Sequence, residues 1–575
     1  MQTEKQMTGY PSIDRPQDRL YRTKPIREIA TEQTIYEMVF NANENNMNWK
    51  ALVYLGKTWS FQKLKNKSDR YANAFICSGL KKGDCVLIGV TNCPDAVAIL
   101  LALNKIGVVS KWFDVRASEK DIECYANDSN CRYLIAFDML IDRIKLALDN
   151  TNLEKVLIIK PTDCLSAIIQ IAYAIKNKIR LPKDTRYDLF KNFVKNNYTN
   201  SNIPCVSFDK DRPSIMIQSS GTTGKPKIIA HSDCSATSSV KSLSYSDLPV
   251  EPQKNILDAL PPWIAYALGQ AILYPLTMGA TVHLSPTFEP DTVMKYLGKF
   301  SLSFAAPFHY RYIRDNFNTL SKKRKELVYS AECFASGGDK ISAEENKAFE
   351  DLFKTPFING YGNNEGWGAL TVNSVKHNKY GSVGIAKYGE TIIAYDNDTE
   401  KELPYGENGE ICALVDTMFL YYEGNEEETK AVKRIHPDGK IWLHTGDLGN
   451  VDNEGFITLG GRARRVIVRQ GFKISAYTIE DKITEHPAVK ECVAVEVKDA
   501  IEEHVPMAYI ILKDITTDAE TIKQSIYDKC RSELKEYEIP KYFRIVTELP
   551  YTPNNKYDFR LLEQQGNEYV NSLNN

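Results

Sequence analysis

Hydrophobic and polar positions in the first third of the chain alternate between the period of a helix and that of a strand. Apolar residues at helical spacing predict helices over residues 61–78 and 94–106. Short apolar, β-rich runs predict strands at residues 85–90 and 156–159. This alternation predicts an α/β fold built in layers.

The pattern changes in the last third of the chain. Residues 405–460 contain short strand-like runs that are separated by glycines, which predicts a β-rich subdomain. A charged break follows at Gly461-Arg462-Ala463-Arg464-Arg465, and β and α signals resume after it. We therefore predict a large N-terminal domain over 1–461, made of layered α/β subdomains and the β-rich subdomain. A hinge at 462–465 would join it to a small mobile α+β domain over 466–575.

Composition agrees with a soluble globular protein of more than one domain. A chain of 575 residues is too long for one compact core, and its 43% hydrophobic and 25% charged residues are ordinary. A formal net charge of −2 gives no overall attraction to nucleic acid or to an anionic membrane. The 12 cysteines form no CxxC pair, and the polar N-terminus does not resemble a signal peptide, so we expect a cytoplasmic location.

One apolar stretch, residues 164–175, is too short for the roughly 20 residues of a membrane span. Ser166 and Gln170 interrupt it, and the basic residues Lys176, Lys178, Arg180, Lys183 and Arg186 follow. Such a segment can make a peripheral membrane contact. A helix that packs on the protein body with a solvated basic end is the more ordinary interpretation, and we expect it here.

The strongest candidate chemistry is a loop rich in glycine and hydroxyl groups that follows the strand-like run 215–217. Its sequence is Ser219-Ser220-Gly221-Thr222-Thr223-Gly224-Lys225-Pro226-Lys227. Glycines let successive backbone N–H groups converge on an anion, while hydroxyls and lysines add donors. Only two residues separate the glycines and Pro226 follows the first lysine, which is not the spacing of a Walker loop. The loop alone could be a solvated turn, but it is typical of phosphate binding.

Further motifs follow this loop along the chain. They are Ser336-Gly337-Gly338-Asp339, Gly360-Tyr361-Gly362-Asn363-Asn364-Glu365, His444-Thr445-Gly446-Asp447, Gly461-Arg462 with Gly471 and Glu480, and Leu549-Pro550-Tyr551-Thr552-Pro553-Asn554-Asn555-Lys556. Together with the loop they resemble the motifs of the acyl-adenylate-forming, or AMP-binding, enzyme superfamily, and they occur in that family's order. The family includes acyl-CoA synthetases, luciferases and the adenylation domains of peptide synthetases. The resemblance covers about residues 30–565.

The resemblance implies sites for ATP and Mg²⁺. The phosphates would be bound by Ser219, Ser220, Gly221, Thr222, Thr223, Gly224, Lys225 and Lys227. Glu365 and Thr222 would hold Mg²⁺, and Asp447 and Arg462 would bind the ribose and phosphate. Tyr361 would stack on adenine, with Gly337, Gly338 and Asn359 at the edge of the base. The neighbouring motif residues Asp339, Gly360, Gly362, Asn363 and Asn364 would also take part in binding ATP or AMP.

The resemblance also assigns roles near the C-terminus. Lys556 would bridge the substrate carboxylate and the α-phosphate in the adenylation step, with Glu365 and Thr222 as further catalytic residues. After a rotation about Arg464, the region of Gly471, Phe472 and Lys473 would face the incoming thiol of CoA. Three positions depart from the family pattern, namely Asn364 for Thr, Asn555 for Gly, and Arg464 for Asp or Lys.

The acid that would be activated is indicated by residues 260–267. This segment carries no carboxylate that could bind a substrate ammonium, so a non-amino organic acid, fatty or aromatic, is favoured. Trp263, Tyr266 and Trp367 would shape the acyl pocket, although each could equally be a core residue. The main hypothesis is formation of acyl-AMP and then of acyl-CoA. The alternatives are transfer to the phosphopantetheine of an acyl or peptidyl carrier protein, and a non-catalytic nucleotide-binding protein.

Overall fold

The structure, a computed structural model, describes residues 7–177, 180–218, 227–297, 300–339, 341–462, 465–469, 472–500, 502–514, 519–551 and 557–574. The strands, in chain order, are β1 Lys50–Tyr54, β2 Lys57–Ser60, β3 Cys85–Gly89, β4 Val109–Trp112, β5 Tyr133–Phe137, β6 Lys155–Ile159, β7 Tyr187–Leu189, β8 Pro213–Gln218, β9 Ile228–Ser232, β10 Asn255–Asp258, β11 Thr281–Leu284, β12 Leu302–Ala305, β13 Cys333–Gly337, β14 Phe357–Gly360, β15 Gly362–Asn363, β16 Gly368–Ala369, β17 Thr371–Val372, β18 Ile385–Ala386, β19 Thr391–Asp396, β20 Lys401–Glu402, β21 Gly409–Leu414, β22 Tyr421–Tyr422, β23 Lys433–Ile435, β24 Ile441–Val451, β25 Ile457–Arg462, β26 Val466–Arg469, β27 Phe472–Ser475, β28 Val489–Asp499, β29 Glu503–Leu512 and β30 Tyr542–Ile545. The α-helices are α1 Pro11–Asp14, α2 Ile35–Asn41, α3 Phe61–Cys77, α4 Pro94–Lys105, α5 Glu119–Asp128, α6 Ile141–Ala147, α7 Ala167–Asn177, α8 Phe190–Asn197, α9 Asp233–Leu243, α10 Tyr274–Thr277, α11 Pro290–Tyr296, α12 Pro307–Asn316, α13 Lys322–Tyr329, α14 Ala343–Phe353, α15 Glu426–Val432, α16 Ala476–Thr484, α17 Ala519–Glu533 and α18 Phe559–Asn574.

Two large sheets form the body of the fold. In the described part of the chain, one has the strand order β22-β9-β8-β4-β3-β5-β6-β7 and the other β14-β13-β12-β10-β11-β1-β2. Most neighbouring strands are parallel, whereas β9, β22 and β2 run antiparallel to their neighbours. Because β13 and β14 are parallel, their carboxyl ends at Gly337 and Gly360 lie side by side. Loops at the carboxyl ends of such strands are the usual position of ligand sites.

The predicted α/β elements are confirmed in type and within one or two residues in extent. Strands β3 and β5 are buried along their whole length, as expected for parallel strands covered on both faces. Every residue of α4 is also buried, so this helix lies inside the layered body. Helix α3 begins after Ser60, whose hydroxyl accepts a hydrogen bond from the backbone N–H of Lys63.

The stretch 405–460 is β-rich, as predicted. Strands β19, β20, β21, β23 and β24 form one antiparallel sheet, and β25 pairs with β24. Toward the C-terminus, β28, β29 and β30 form a separate sheet. Alternate residues of β28 enter different apolar clusters, Ala494 with α16 and α17, and Val493 with α18. The boundary at 461 and the hinge stay predictions, and Arg464 lies outside the described residues.

The apolar stretch near residue 170 forms helix α7, but it does not pack as we expected. None of its residues is buried, so its isoleucines do not contribute to the protein core. In the described part of the chain, no helix combines the length and the apolar character that crossing a membrane requires.

Candidate active site

The predicted phosphate loop lies between the antiparallel strands β8 and β9. Residues 219–226 are outside the described residues, which leaves Ser219, Ser220, Gly221, Thr222, Thr223, Gly224 and Lys225 without a structural account. Lys227, the last residue of the motif, is described. Its Nζ atom lies 2.6 Å from a carboxylate oxygen of Glu428 and 4.9 Å from the ring centroid of Tyr422.

Glu365, the predicted Mg²⁺ ligand, lies beside the same tyrosine. The Tyr422 hydroxyl donates to Oε1 of Glu365 over 2.7 Å, and the Glu365 carbonyl accepts from the backbone N–H of Phe419 over 2.8 Å. Tyr422 therefore links the predicted metal ligand to Lys227, and so to the end of the phosphate loop. A carboxylate held in one orientation suits Mg²⁺, which prefers oxygen ligands. Tyr422 could not be predicted as a site residue, because it lies 57 residues from Glu365 and in no motif.

Asn364, which departs from the family pattern, connects three segments of the site. Its side-chain N–H donates to the carbonyl of Gln218 over 2.8 Å, at the start of the phosphate loop. Its side-chain oxygen accepts from the backbone N–H of Ala265 over 3.1 Å, and its carbonyl accepts from Nε2 of His231 over 2.8 Å. An amide can donate and accept at once in this way. The asparagine at this position therefore holds the three segments together.

Asp447 and Tyr361 come from distant motifs and meet in the structure. The Tyr361 hydroxyl donates to Oδ2 of Asp447 over 2.5 Å across 86 residues of sequence. Asp447 also pairs with Arg462 across strands β24 and β25, so the two predicted ribose-binding residues are neighbours. The structure thus brings together three predicted nucleotide-binding residues that the sequence separates.

A β-bulge carries Asp447 out of the regular ladder. The pairing of β21 with β24 shifts between Glu410 and Cys412, so that residues 445–447 lie opposite a single residue. Gly446, with a φ of +71°, makes the turn, and its N–H donates to Oε1 of Glu410 over 2.9 Å. Bulges of this kind often lie next to active sites, where they aim a side chain.

Glu410 is part of a buried hydrogen-bond chain behind this bulge. His444 donates from Nδ1 to Oε2 of Glu410 over 2.9 Å, and Asn397 donates to the same oxygen over 2.8 Å. The other ring nitrogen of His444 lies 2.9 Å from Nε2 of His436, which must donate because Nδ1 carries the His444 proton. Burial opposes the charge on Glu410, but these donors outweigh it and the pKa of Glu410 is lowered. Burial lowers the pKa of His436 to about 4, so that it stays neutral.

The same cluster contains a cysteine at hydrogen-bonding distance. Ligand atoms of Cys412, His436 and His444 all lie within 4.8 Å of one another, which is a spacing that a transition metal can use. However, the hydrogen bonds to Glu410 and His436 engage both nitrogens of His444. The arrangement is therefore that of a hydrogen-bond chain, and it positions the bulge.

The predicted adenine side lies at the carboxyl ends of β13 and β14. Gly337 and Gly360 are paired there, Gly338 has a φ of +94°, and Asp339 accepts a hydrogen bond from Arg311 over 3.4 Å. A side chain at Gly337 would lie 3.4 Å from the ring of Tyr266. Asn359 is buried, and its side-chain oxygen has no hydrogen-bond partner among the described residues. Such an acceptor suits an amino group of a ligand.

Two family profiles match the chain. The AMP-binding enzyme profile matches residues 39–422, and the profile of the AMP-binding enzyme C-terminal domain matches residues 478–556. The chain belongs to the AMP-binding enzyme family. This confirms the family that the motifs indicated.

Relatives and solved structures agree with this membership of the AMP-binding enzymes. The chain is 27% identical to the long-chain-fatty-acid–CoA ligase of Bacillus subtilis over 90% of this chain and 91% of that protein. It is 26% identical to the mitochondrial acyl-coenzyme A synthetase ACSM2 of Rattus norvegicus over 87% and 83% of the two chains. The ATP-bound structure of MatB from Rhodopseudomonas palustris superposes with a TM-score of 0.80 at 20% identity, covering 94% and 100%. The fold class predicted from the sequence is therefore confirmed.

The predicted acyl-pocket residues of this AMP-binding enzyme gather around a π-helix, Tyr266–Leu273. Trp263 precedes this helix, Tyr266 begins it, and the Trp367 indole packs on Gly269 within it. Trp263 and Trp367 are buried, and Trp367 has a φ of +60°, which is unusual for a bulky residue. π-Helical turns and strained backbone both occur most often at functional sites.

His231 is a further residue of this region that sequence analysis did not find. It is fully buried on β9, its ring lies 4.8 Å from that of Trp367, and its Nδ1 atom has no partner among the described residues. Burial lowers the pKa of His231 to about 3, so the ring is neutral. Its position five residues after Pro226, next to the phosphate loop, was the available signal.

Several predicted C-terminal residues of the AMP-binding enzyme fall outside the described residues, namely Lys556, Arg464 and Gly471. Phe472 and Lys473 lie on β27, which pairs with β26. The residues on either side of the Lys556 segment, Tyr551 and Tyr557, pair with each other. Both tyrosine hydroxyls also lie near a carboxylate oxygen of Glu491, over 3.4 Å for Tyr551 and 3.3 Å for Tyr557.

Proposed function

We propose that the chain, an AMP-forming acid–thiol ligase, makes acyl-CoA from a non-amino organic acid in two steps. In the first step, a carboxylate oxygen attacks the α-phosphate of ATP, and the bond to the β-phosphate breaks to release pyrophosphate. In the second step, the thiol of CoA attacks the acyl carbon of acyl-AMP, loses its proton, and releases AMP. The products are an acyl thioester, AMP and pyrophosphate.

The observation that carries this proposal is the contact between Tyr422 and both Glu365 and Lys227. The barrier to the first step comes mainly from bringing two anions together, so that positioned charge is the main catalytic need. The Glu365 carboxylate and the Lys227 ammonium, which is paired with Glu428, share one tyrosine at the end of the phosphate loop, so a metal ligand and a lysine donor would act at one place. Glu365 and Thr222 would hold Mg²⁺, which neutralises phosphate charge when bound.

The nucleoside would bind beside Asp447 and the carboxyl ends of β13 and β14. Asp447, held by Tyr361 and by the bulge, would accept hydrogen bonds from the ribose hydroxyls, and Arg462 beside it would approach the phosphate. Asn359 and the glycines at the ends of β13 and β14 would leave room for adenine and offer it an acceptor.

The acid is proposed to be a fatty acid, with an aromatic acid as the second choice. No carboxylate occurs in residues 260–267, and the preceding acidic residue, Asp258, is fully buried. Burial raises the pKa of Asp258 to about 8, so most of it is protonated at neutral pH. A substrate ammonium would have no charged partner there, which costs several kcal/mol. The Bacillus subtilis relative, named as a long-chain-fatty-acid–CoA ligase, supports the fatty acid.

The two steps would use two arrangements of the C-terminal domain. Lys556 would neutralise the carboxylate and the α-phosphate in the first step. Rotation about residues 462–465, including Arg464, would then bring Gly471, Phe472 and Lys473 to the site for the thiol. Residues at the end of an element commonly act as such hinges.

The acceptor is tested by AMP release. The enzyme is incubated with ATP, Mg²⁺ and a panel of fatty, aromatic and amino acids, with CoA or with a holo-carrier protein as the acceptor. We expect rapid AMP release only with CoA and a fatty or aromatic acid. Faster release with the holo-carrier would contradict CoA as the acceptor, and activity confined to amino acids would contradict the proposed acid.

A further inference from the structure

Helix α7 presents an apolar face to solvent. Its four isoleucines, Ile168, Ile169, Ile171 and Ile175, are exposed by 80%, 44%, 60% and 70%. Ile168, Ile171 and Ile175 are three and four residues apart, so they lie along one side of the helix. Soluble proteins rarely expose a continuous apolar surface of this kind unless something binds it.

The helix is attached to the body by its polar side. The Tyr173 hydroxyl donates to Oδ1 of Asp138 over 3.1 Å. The Gln170 amide donates to the carbonyls of Asp163 and Leu165, each over 3.1 Å. Position 173 and position 170 lie opposite the isoleucine side, so the usual orientation of an amphipathic surface helix is reversed. The polar anchors fix the isoleucines outward.

Basic residues follow this apolar face on its C-terminal side. Residues 164–183 contain four basic residues and no acidic residue. Lys176, Arg180 and Lys183 are all exposed, and the exposed side chain of Met139 follows the anchoring residue Asp138. The whole chain has a net charge of −2, so this positive charge is local and not a property of the general surface.

We propose that α7 docks the protein on an anionic lipid bilayer. The isoleucines would enter the boundary between headgroups and acyl chains, and the lysines and arginine would contact acidic headgroups. A second copy of the chain fits this face less well, because residues 164–183 of a partner would offer no carboxylate to pair with the basic residues. The proposal rests on exposure and charge and does not depend on the proposed reaction.

Vesicle flotation with the full-length protein tests the proposal. Vesicles of phosphatidylcholine alone are compared with vesicles that contain equal parts of phosphatidylcholine and phosphatidylglycerol, at low and high salt. We expect binding to the anionic vesicles that weakens with salt. The double substitution Ile168→Ser and Ile175→Ser should reduce partitioning by at least about 10-fold. Each of Lys176→Gln and Arg180→Gln should reduce it by about 5-fold.

The matched control is the double substitution Ile13→Ser and Ile435→Ser, at isoleucines exposed by 60% and 73% elsewhere on the surface. It should leave vesicle binding unchanged, and circular dichroism checks that all variants are folded. Absence of wild-type binding to both vesicle types would overturn the proposal. Equal loss of binding in the control would also overturn it, as would a wild-type dimer in light scattering that Ile168→Ser converts to monomers.

Discussion

The substitution Glu410→Gln should weaken both the fold and nucleotide binding. Glu410 is 6% exposed and accepts hydrogen bonds from His444, Asn397 and the backbone N–H of Gly446 over 2.8–2.9 Å. Glutamine has nearly the same shape, but one of its two terminal atoms is a donor. Whichever way the glutamine amide is turned, its NH₂ group faces at least one of the three N–H groups that now donate to Glu410.

The size of the effect follows from the bonds that are lost. A hydrogen bond to a charged group contributes about 1.5–3 kcal/mol, and an unpaired buried donor adds its own cost. We therefore expect the free energy of unfolding to fall by about 3 kcal/mol in urea titrations at pH 7. Gly446 makes the turn before Asp447, so we also expect kcat/KM for ATP to fall about 10- to 100-fold.

The pH dependence gives an independent check of the same reasoning. The pKa of Glu410 is lowered in the folded protein, so its stabilisation is present above the unfolded pKa and is lost as pH falls through the folded value. The stability difference between the wild type and Glu410→Gln should therefore be largest near pH 7 and shrink below about pH 4. Glu407→Gln, at an exposed glutamate of the same region, is the control. Equal stability and equal kcat/KM for ATP in Glu410→Gln and this control would refute the positioning role.

Three further predictions concern the same site. Lys556→Ala should slow acid-dependent adenylation by at least about 10²–10³-fold in pyrophosphate exchange, and an unchanged rate would remove Lys556 from the mechanism. Tyr422→Phe removes the hydroxyl that holds Glu365, so kcat should fall about 10-fold and the Mg²⁺ concentration for half-maximal rate should rise. An unchanged Mg²⁺ dependence would contradict the positioning of Glu365 by Tyr422. Gly269→Ala would place a methyl carbon 2.8 Å from Nε1 of Trp367 and should lower the free energy of unfolding by about 1–3 kcal/mol. A melting temperature equal to that of the wild type would contradict this close packing of Trp367 on the π-helix.

The layered part of the fold could be predicted because its signals are local. Helices α3 and α4 and strands β3 and β6 follow the hydrophobic period of their own residues, and each forms close to the predicted bounds. The π-helix could not be predicted, since a change from a helical to a π-helical turn leaves no mark in hydrophobic spacing. The exposure of α7 was equally hidden, because an apolar period does not say which side of a helix meets the body.

The candidate site also contains residues that could be predicted from the sequence and residues that could not. Motif residues such as Asp447 and Tyr361 could be named from the sequence, and the structure brings these two together. The residues that position the motif residues belong to no motif: Glu410 on β21 lies behind the bulge of Asp447, and Tyr422 on β22 holds Glu365. Their role depends on strand register and on a bulge, which single residues do not reveal. In the sequence, Asn364 is only a departure from the family motif, whereas in the structure its three hydrogen bonds hold three segments of the site together.

The most direct test of acid activation is ATP–pyrophosphate exchange in the absence of any thiol. Purified full-length protein is given ATP, Mg²⁺, labelled pyrophosphate and one carboxylic acid at a time. We expect label to enter ATP only when a suitable fatty or aromatic acid is present, with amino acids inactive. Exchange that does not depend on an added acid, or no exchange with any acid of the panel, would contradict the account.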